Sequence, residues 1–238
     1  MSLRLTPPAG QRPGRGALAL VAVLGLVCLA VSAGCAVQLP GSGEPAQLYV
    51  LTPKSTFPDD LVAVDWQLLI ETPIAQAGLD TPRIAVAYSP IELNYFARSN
   101  WTDRAPQMVQ RLLIESFENS GRIVAVGRDA IGLRSDYVLK TELREFQAEY
   151  RAVQGDSTDA ESGLPVGEAP NIRVRINAKL VRMPQRVIVA SENFENVVAA
   201  RENSMRGIVT AFDEALGRTI KFVVVWTLTE GERLKGGS

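Results

Sequence analysis

The chemistry this chain can do is concentrated in one residue, Cys35. It closes the run Val31-Ser32-Ala33-Gly34-Cys35, directly after a stretch from Ala17 to Ala33 that carries no charge. The residues before that stretch include Arg4, Arg12 and Arg15 and no acid. A positive start, an apolar middle and a small residue just before a thiol are the layout of a bacterial lipoprotein signal peptide, with cleavage between Gly34 and Cys35. On this reading Cys35 becomes the first residue of the mature protein and carries the acyl chains, palmitate among them. Each buried CH₂ contributes roughly 0.8 kcal/mol, so one chain binds a membrane marginally and several hold it firmly.

Two rival readings stand beside it. A retained transmembrane helix needs about 20 apolar residues, a little more than this stretch provides. An ordinary secretory signal would be cut at a small-x-small site, which Val31-Ser32-Ala33 resembles loosely. Ser32 occupies the position where the strongest lipoprotein signals carry Leu, and Cys28 is a poorer acceptor because Val27 precedes it.

The other reactive residue types are missing. The sequence has two cysteines, Cys28 within the signal and Cys35, and no histidine. That leaves the mature domain no disulfide, no thiol nucleophile, no Ser-His-Asp triad and none of the commonest metal ligand. Neither a G-x-G-x-x-G nor a G-x-x-x-x-G-K-[ST] phosphate cradle occurs. The carboxylate pairs Asp59-Asp60 and Asp213-Glu214 read as ordinary solvated positions, the first in a Pro-flanked loop and the second on the polar side of a helix. The residues therefore point to a non-enzyme that uses no cofactor and no metal. Removing Arg4, Arg12 and Arg15 from 25 basic residues leaves 22 against 26 acidic ones, a balance of −4. A mildly acidic domain does not suit nucleic acid, which needs a basic face.

The elements that must carry these residues follow from patterning. Residues 1–34 are read as the signal, 35–47 as the lipidated Cys and a Pro/Gly/Ser-rich tether, 48–230 as one domain and 231–238 as a polar tail. Short apolar runs bounded by Pro predict strands at Tyr49-Leu51, Trp66-Glu71 and Arg83-Tyr88. Leu93 to Trp101 reads as a connector. A helix follows, capped by Thr102 or Asp103, with Pro106 in its first turn and Gly121 at its end. Trp101, Ala105, Met108, Val109, Leu112, Leu113 and Phe117 form its apolar face. Strands are expected at Ile123-Val126 and from Tyr137 to Arg144, and a mobile acidic loop over Gln154 to Pro170. Ile172 to Leu180 alternates apolar and polar residues, turns at Met183-Arg186 and returns from Val187 to about Val198. A second helix, capped by Asn203 or Ser204, puts Met205, Ile208, Val209, Phe212, Ala215, Leu216 and Ile220 on one stripe. Phe222 to Trp226 either continues it or forms a last strand. The sum is an α+β fold, a mixed and mostly antiparallel sheet with two amphipathic helices packed on one face.

Arg173 and Arg175, on the polar side of the 172–180 strand, are the candidate partner-contact residues. Their plainer reading is the solvated face of a strand. Trp101 and Trp226 read as core.

Several segments together resemble a known family. They are Tyr49-Val50-Leu51, Thr81-Pro82-Arg83-Ile84-Ala85-Val86, the connector Glu92-Leu93-Asn94-Tyr95-Phe96-Ala97-Arg98-Ser99-Asn100-Trp101 running into a helix, Asp136-Tyr137-Val138-Leu139, and a late Arg-rich hairpin. Behind an acylatable Cys and a short tether, this pattern resembles the ABC-type transport auxiliary lipoproteins. Those are periplasmic lipoproteins associated with MCE-domain (mammalian cell entry) lipid transporters. The resemblance implies a non-enzymatic subunit whose partners are the membrane, through the N-terminal lipid, an MCE-domain protein and ABC permease complex, and other copies of the chain in a homo-oligomer. It carries over no catalytic residue, and Cys35 is the one functional position it transfers. Ala36, where an inner-membrane lipoprotein of enterics would carry Asp, directs the expectation to the outer membrane. A second reading, from a different functional class, is an envelope assembly or scaffold lipoprotein, either pilotin-like or a partner in lipopolysaccharide assembly.

Overall fold

The computed structural model describes residues 45–128, 134–151 and 164–236. Over these, nine strands form one mixed sheet and two helices cover one of its faces. The strands are β1 (Gln47–Tyr49), β2 (Val64–Ile70), β3 (Ile74–Ala75), β4 (Arg83–Ser89), β5 (Glu92–Trp101), β6 (Ile123–Gly127), β7 (Tyr137–Glu149), β8 (Asn171–Arg182) and β9 (Val187–Ala199). The helices are α1 (Ala105–Ser120) and α2 (Met205–Lys235).

Strand β7 is the spine. Along one edge it takes β2, β3 and β4 in turn, all parallel, at Tyr137–Leu139, Glu142–Leu143 and Gln147–Glu149. Along its other edge it pairs with β8 over its whole length, and β8 pairs with β9, both antiparallel. These two ladders and the β4–β5 pairing carry most of the paired residues, while the short remaining pairings are parallel. A bulge at Arg144 shifts the β7 register between Leu143 and Glu145. The inward side chains accordingly switch from Tyr137, Leu139, Thr141 and Leu143 to Phe146 and Ala148.

The alternation in β8 has a direct physical result. Ile172, Val174, Ile176, Ala178 and Leu180 are all fully buried and make the floor on which α2 lies. Ser204 caps α2 by accepting a hydrogen bond from the Gly207 N–H at 3.1 Å. The helix runs unbroken through Phe222–Trp226 and on to Lys235, into the stretch read as a polar tail. Within that apolar run Val223 and Val224 are buried while Phe222 is exposed, which follows a helix's period and not a strand's. Trp101, Phe146 and Phe212 join β5, β7 and α2 in one aromatic cluster, with ring centroids 5.1 to 5.6 Å apart. Trp226 packs edge-on against Phe194 of β9.

Three expectations need correction. Leu93 to Trp101 is strand, held between β1 and β4, and not a connector. Its polar residues Asn94, Arg98, Ser99 and Asn100 blur the two-residue period. Its pairing with β4 also shifts register around Arg98, whose φ of 51° is left-handed. Arg104 occupies the N-cap position of α1 and makes no side-chain cap, so neither Thr102 nor Asp103 fills that role. The Asp103 carboxylate instead accepts from the Arg104 N–H, and the Arg104 guanidinium donates to Asp80. The first strand lies at Gln47–Tyr49, slightly ahead of the expected span, and leaves Leu51 buried beyond its end. The helix ends as expected, at Gly121 with φ of 60°. The expected acidic loop lies outside the described residues up to residue 163. Beyond it Leu164 and Pro165 are buried while residues 166–168 are exposed, and Asn203 donates to the Pro165 carbonyl at 2.8 Å.

Candidate functional site

Gly34 and Cys35 lie outside the described residues, so the candidate site within the fold is the sheet face turned away from the helices. Its long axis is the β7–β8–β9 ladder, where Arg173 and Arg175 stand on β8. Neighbouring strands bring carboxylates to both. The Arg173 guanidinium donates to Glu149 of β7 at 2.9 Å and pairs with Glu195 of β9. Arg175 pairs with Glu145 at 2.9 Å. The hydrogen bond to Glu149, followed by Glu195, holds Arg173 well above the ordinary arginine pKa. Each arginine is partly buried, with 31% of the Arg173 side chain and 40% of Arg175 exposed. The two therefore form a charge-paired lattice and not a bare cationic stripe. Strand β8 has no free edge, because β7 and β9 flank it; the exposed edge of this layer belongs to β9. Nearby, burial raises the Tyr150 hydroxyl pKa, with Tyr88 adding to the effect, and the two rings lie 5.9 Å apart.

The polar pairs find structural places. Asp213 accepts from the Thr52 N–H at 2.7 Å and from its hydroxyl, tying α2 to the chain after β1. Buried Gln110 of α1 donates to the Ile70 carbonyl at 2.8 Å and accepts from Thr72. Among the described residues no group of three or more acidic side chains is placed to hold a metal ion. No described helix is long and apolar enough to cross a membrane.

At the other end of the same face, an apolar row escaped the sequence reading. Leu69 of β2 pairs with Val138 of β7, Val138 with Val181 of β8, and Val181 with Ile188 of β9. Leu69, Val138, Val181 and Met183 form a hydrophobic cluster separate from the main core. They floor a recess of about 790 Å³. The signal was present: Leu68-Leu69-Ile70, Val138-Leu139 and Leu180-Val181 are runs of adjacent apolar residues in strands where one wet face would require alternation.

Comparison with known proteins agrees with this architecture. A solved structure, protein XCC0632 from Xanthomonas campestris, superposes with a TM-score of 0.71 at 29% identity, covering 80% of this chain and 99% of that one. A second solved structure, of an uncharacterized protein, has a TM-score of 0.55 at 11% identity over 76% of this chain and 97% of that one, and shares the fold. An uncharacterized protein of Bradyrhizobium diazoefficiens is 31% identical over 194 residues. That alignment takes in 80% of this chain, which spans about half (48%) of that relative's length. The model of the ABC-type transport auxiliary lipoprotein component matches residues 49–224, from β1 well into α2, and the chain belongs to that family.

Proposed function

We propose that this protein is the lipid-anchored, non-enzymatic subunit of an ABC/MCE-type lipid transport system. In this reading acyl chains on Cys35 hold it at the periplasmic face of the outer membrane. The Pro/Gly/Ser-rich segment read as a tether gives the domain its reach, and the domain works by docking on an MCE-domain partner of the permease complex, alone or as a homo-oligomer. The observation that carries the reading is the family match over 49–224 behind a lipoprotein-type signal. Tethering adds a physical reason: confinement to a thin layer raises the effective concentration against a membrane-bound partner, so modest contacts suffice. Arg173 and Arg175, with the carboxylates they pair, offer a preformed mixed-charge surface for such a contact.

The test begins with affinity purification of the tagged full chain from its native envelope, with mass spectrometry of what accompanies it. An MCE-domain protein and its permease are expected. Recovery of a secretin or an outer-membrane barrel in their place would refute the transport role. Cys35→Ala should leave the precursor uncleaved or unacylated, and fractionation on a sucrose gradient should place the wild type with outer-membrane markers. The Arg173→Gln/Arg175→Gln pair should weaken partner recovery while the thermal melt stays cooperative.

A further inference from the structure

The charge lattice around Arg173 is complete within the chain, whereas the recess at the opposite end of that face is not. Its floor is the row Leu69, Val138, Val181, to which Ile188 adds an apolar side chain that is 55% exposed. Leu69, Val138 and Val181 keep less than a tenth of their surface exposed, so apolar side chains fill positions where a solvated sheet face would alternate to polar ones. Around this floor the charge is predominantly cationic. Arg134 and Arg186 line the recess, and both are exposed. Arg186 sits in the left-handed region with φ of 57°, a conformation that favours Gly or Asn. One step along the strands Lys140 stands directly opposite Lys179. Like charges facing each other across a pair of strands repel. Glu71 neutralises Lys140 at 2.7 Å, and Asp136 accepts from the Gln67 N–H. Among the described residues Arg134, Arg186 and Lys179 have no carboxylate partner.

We propose that this recess is a binding site for one anionic lipid, with part of an acyl chain on the Leu69–Val138–Val181 row and the headgroup phosphate against Arg134 and Arg186. A volume of about 790 Å³ falls within the range of small-molecule sites, roughly 300–1,000 Å³, and takes a headgroup and part of one chain. The combination selects the ligand class: an apolar floor alone would accept any hydrocarbon, and guanidinium groups alone any phosphate, but both together fit an anionic amphiphile. The proposal rests on the transport reading and deepens it, since it makes the subunit a contact point for lipid as well as for protein.

The experiment uses the full acylated chain in neutral detergent. Native mass spectrometry counts bound lipid after incubation with phosphatidylglycerol or, separately, phosphatidylcholine. The wild type is expected to keep one phosphatidylglycerol per chain, about tenfold more than phosphatidylcholine, a difference of about 1.4 kcal/mol. Arg134→Gln/Arg186→Gln should reduce retention of phosphatidylglycerol about tenfold, and Ile188→Asp should reduce retention of both lipids. All three changed side chains are exposed, so near-ultraviolet circular dichroism should match the wild type; if Ile188→Asp fails to fold, the arginine pair alone decides. Equal retention of the two lipids, or retention unchanged by the arginine pair, would overturn the proposal. No retained lipid, together with loss of the MCE partner in the arginine variant, would overturn it in favour of a protein-docking surface and leave the transport reading intact. Retained phosphatidylglycerol that the arginine pair removes, with no MCE partner ever recovered, supports the lipid site and sinks the transport reading instead.

Discussion

Replacing Gly231 with Ala should destabilise the domain, although the same change at most exposed helix positions stabilises. Gly231 lies in the last turns of α2, and a Cβ built on it would sit 2.4 Å from Cζ2 of Trp66, 3.0 Å from Cη2 and 3.1 Å from Cε2. Carbon atoms pack at about 3.5–4.0 Å, so the indole would have to retreat by roughly 1 Å. It has little room to do so. Trp66 is only 3% exposed and meets Tyr137 edge-on, with centroids 5.0 Å apart. The Tyr137 hydroxyl in turn donates to the Gly231 carbonyl at 3.1 Å. Overpacking of this kind costs about 1–3 kcal/mol, while exchanging Gly for Ala in a helix gains about 1 kcal/mol. The net change is a loss of up to about 2 kcal/mol, by the same figures. Gly217 on the same helix is the internal control, because a Cβ there meets nothing within 4 Å. Gly217→Ala should therefore show the propensity gain alone, about 1 kcal/mol. Urea denaturation followed by circular dichroism measures both, and each kcal/mol moves the thermal midpoint by roughly 2–4 °C in a domain of this size. If Gly231→Ala stabilises as much as Gly217→Ala, the close packing of α2 on Trp66 is wrong.

Asp213→Ala removes the acceptor for both the N–H and the hydroxyl of Thr52; a loss of about 1–3 kcal/mol is expected from chemical denaturation. Trp101→Ala opens the aromatic cluster shared with Phe146 and Phe212 and should cost about 3–5 kcal/mol, read from the same urea curves. The Asp80 carboxyl, exposed but hydrogen-bonded by Arg104, is held below the ordinary carboxylate range. Its contribution to stability is present above the unfolded carboxyl pKa, about 4, and is lost as pH falls through the lower folded value. A carbon-13 NMR titration of Asp80 should show that depression, and Arg104→Gln should return the carboxyl towards its ordinary range.

Local sequence was sufficient wherever one residue's type fixes its role. Ser204 caps α2 and Gly121 ends α1 because a hydroxyl beside free N–H groups and a glycine in the left-handed region act through neighbours a few positions away. The alternation of β8 and the stripe of α2 were equally legible, since both come from burying one side against one core. The lipoprotein-type pattern that ends at Cys35 is linear, so the proposal of acylation there rests on sequence alone. Other features existed only once strands were side by side. Glu92 to Trp101 is a strand because β1 and β4 supply its hydrogen bonds, and its own polar residues hide the period. Phe222–Trp226 has an apolar composition that fits helix and strand alike, and the β8 floor decides in favour of the helix. Arg173 looked like a free cation along the sequence. Glu149 and Glu195, distant in the chain but adjacent across two strand pairings, neutralise it. The recess depends in the same way on four strands aligning Leu69, Val138, Val181 and Ile188 in one row. A side chain's own periodicity states which face it occupies, but the register between distant strands alone decides what shares that face with it.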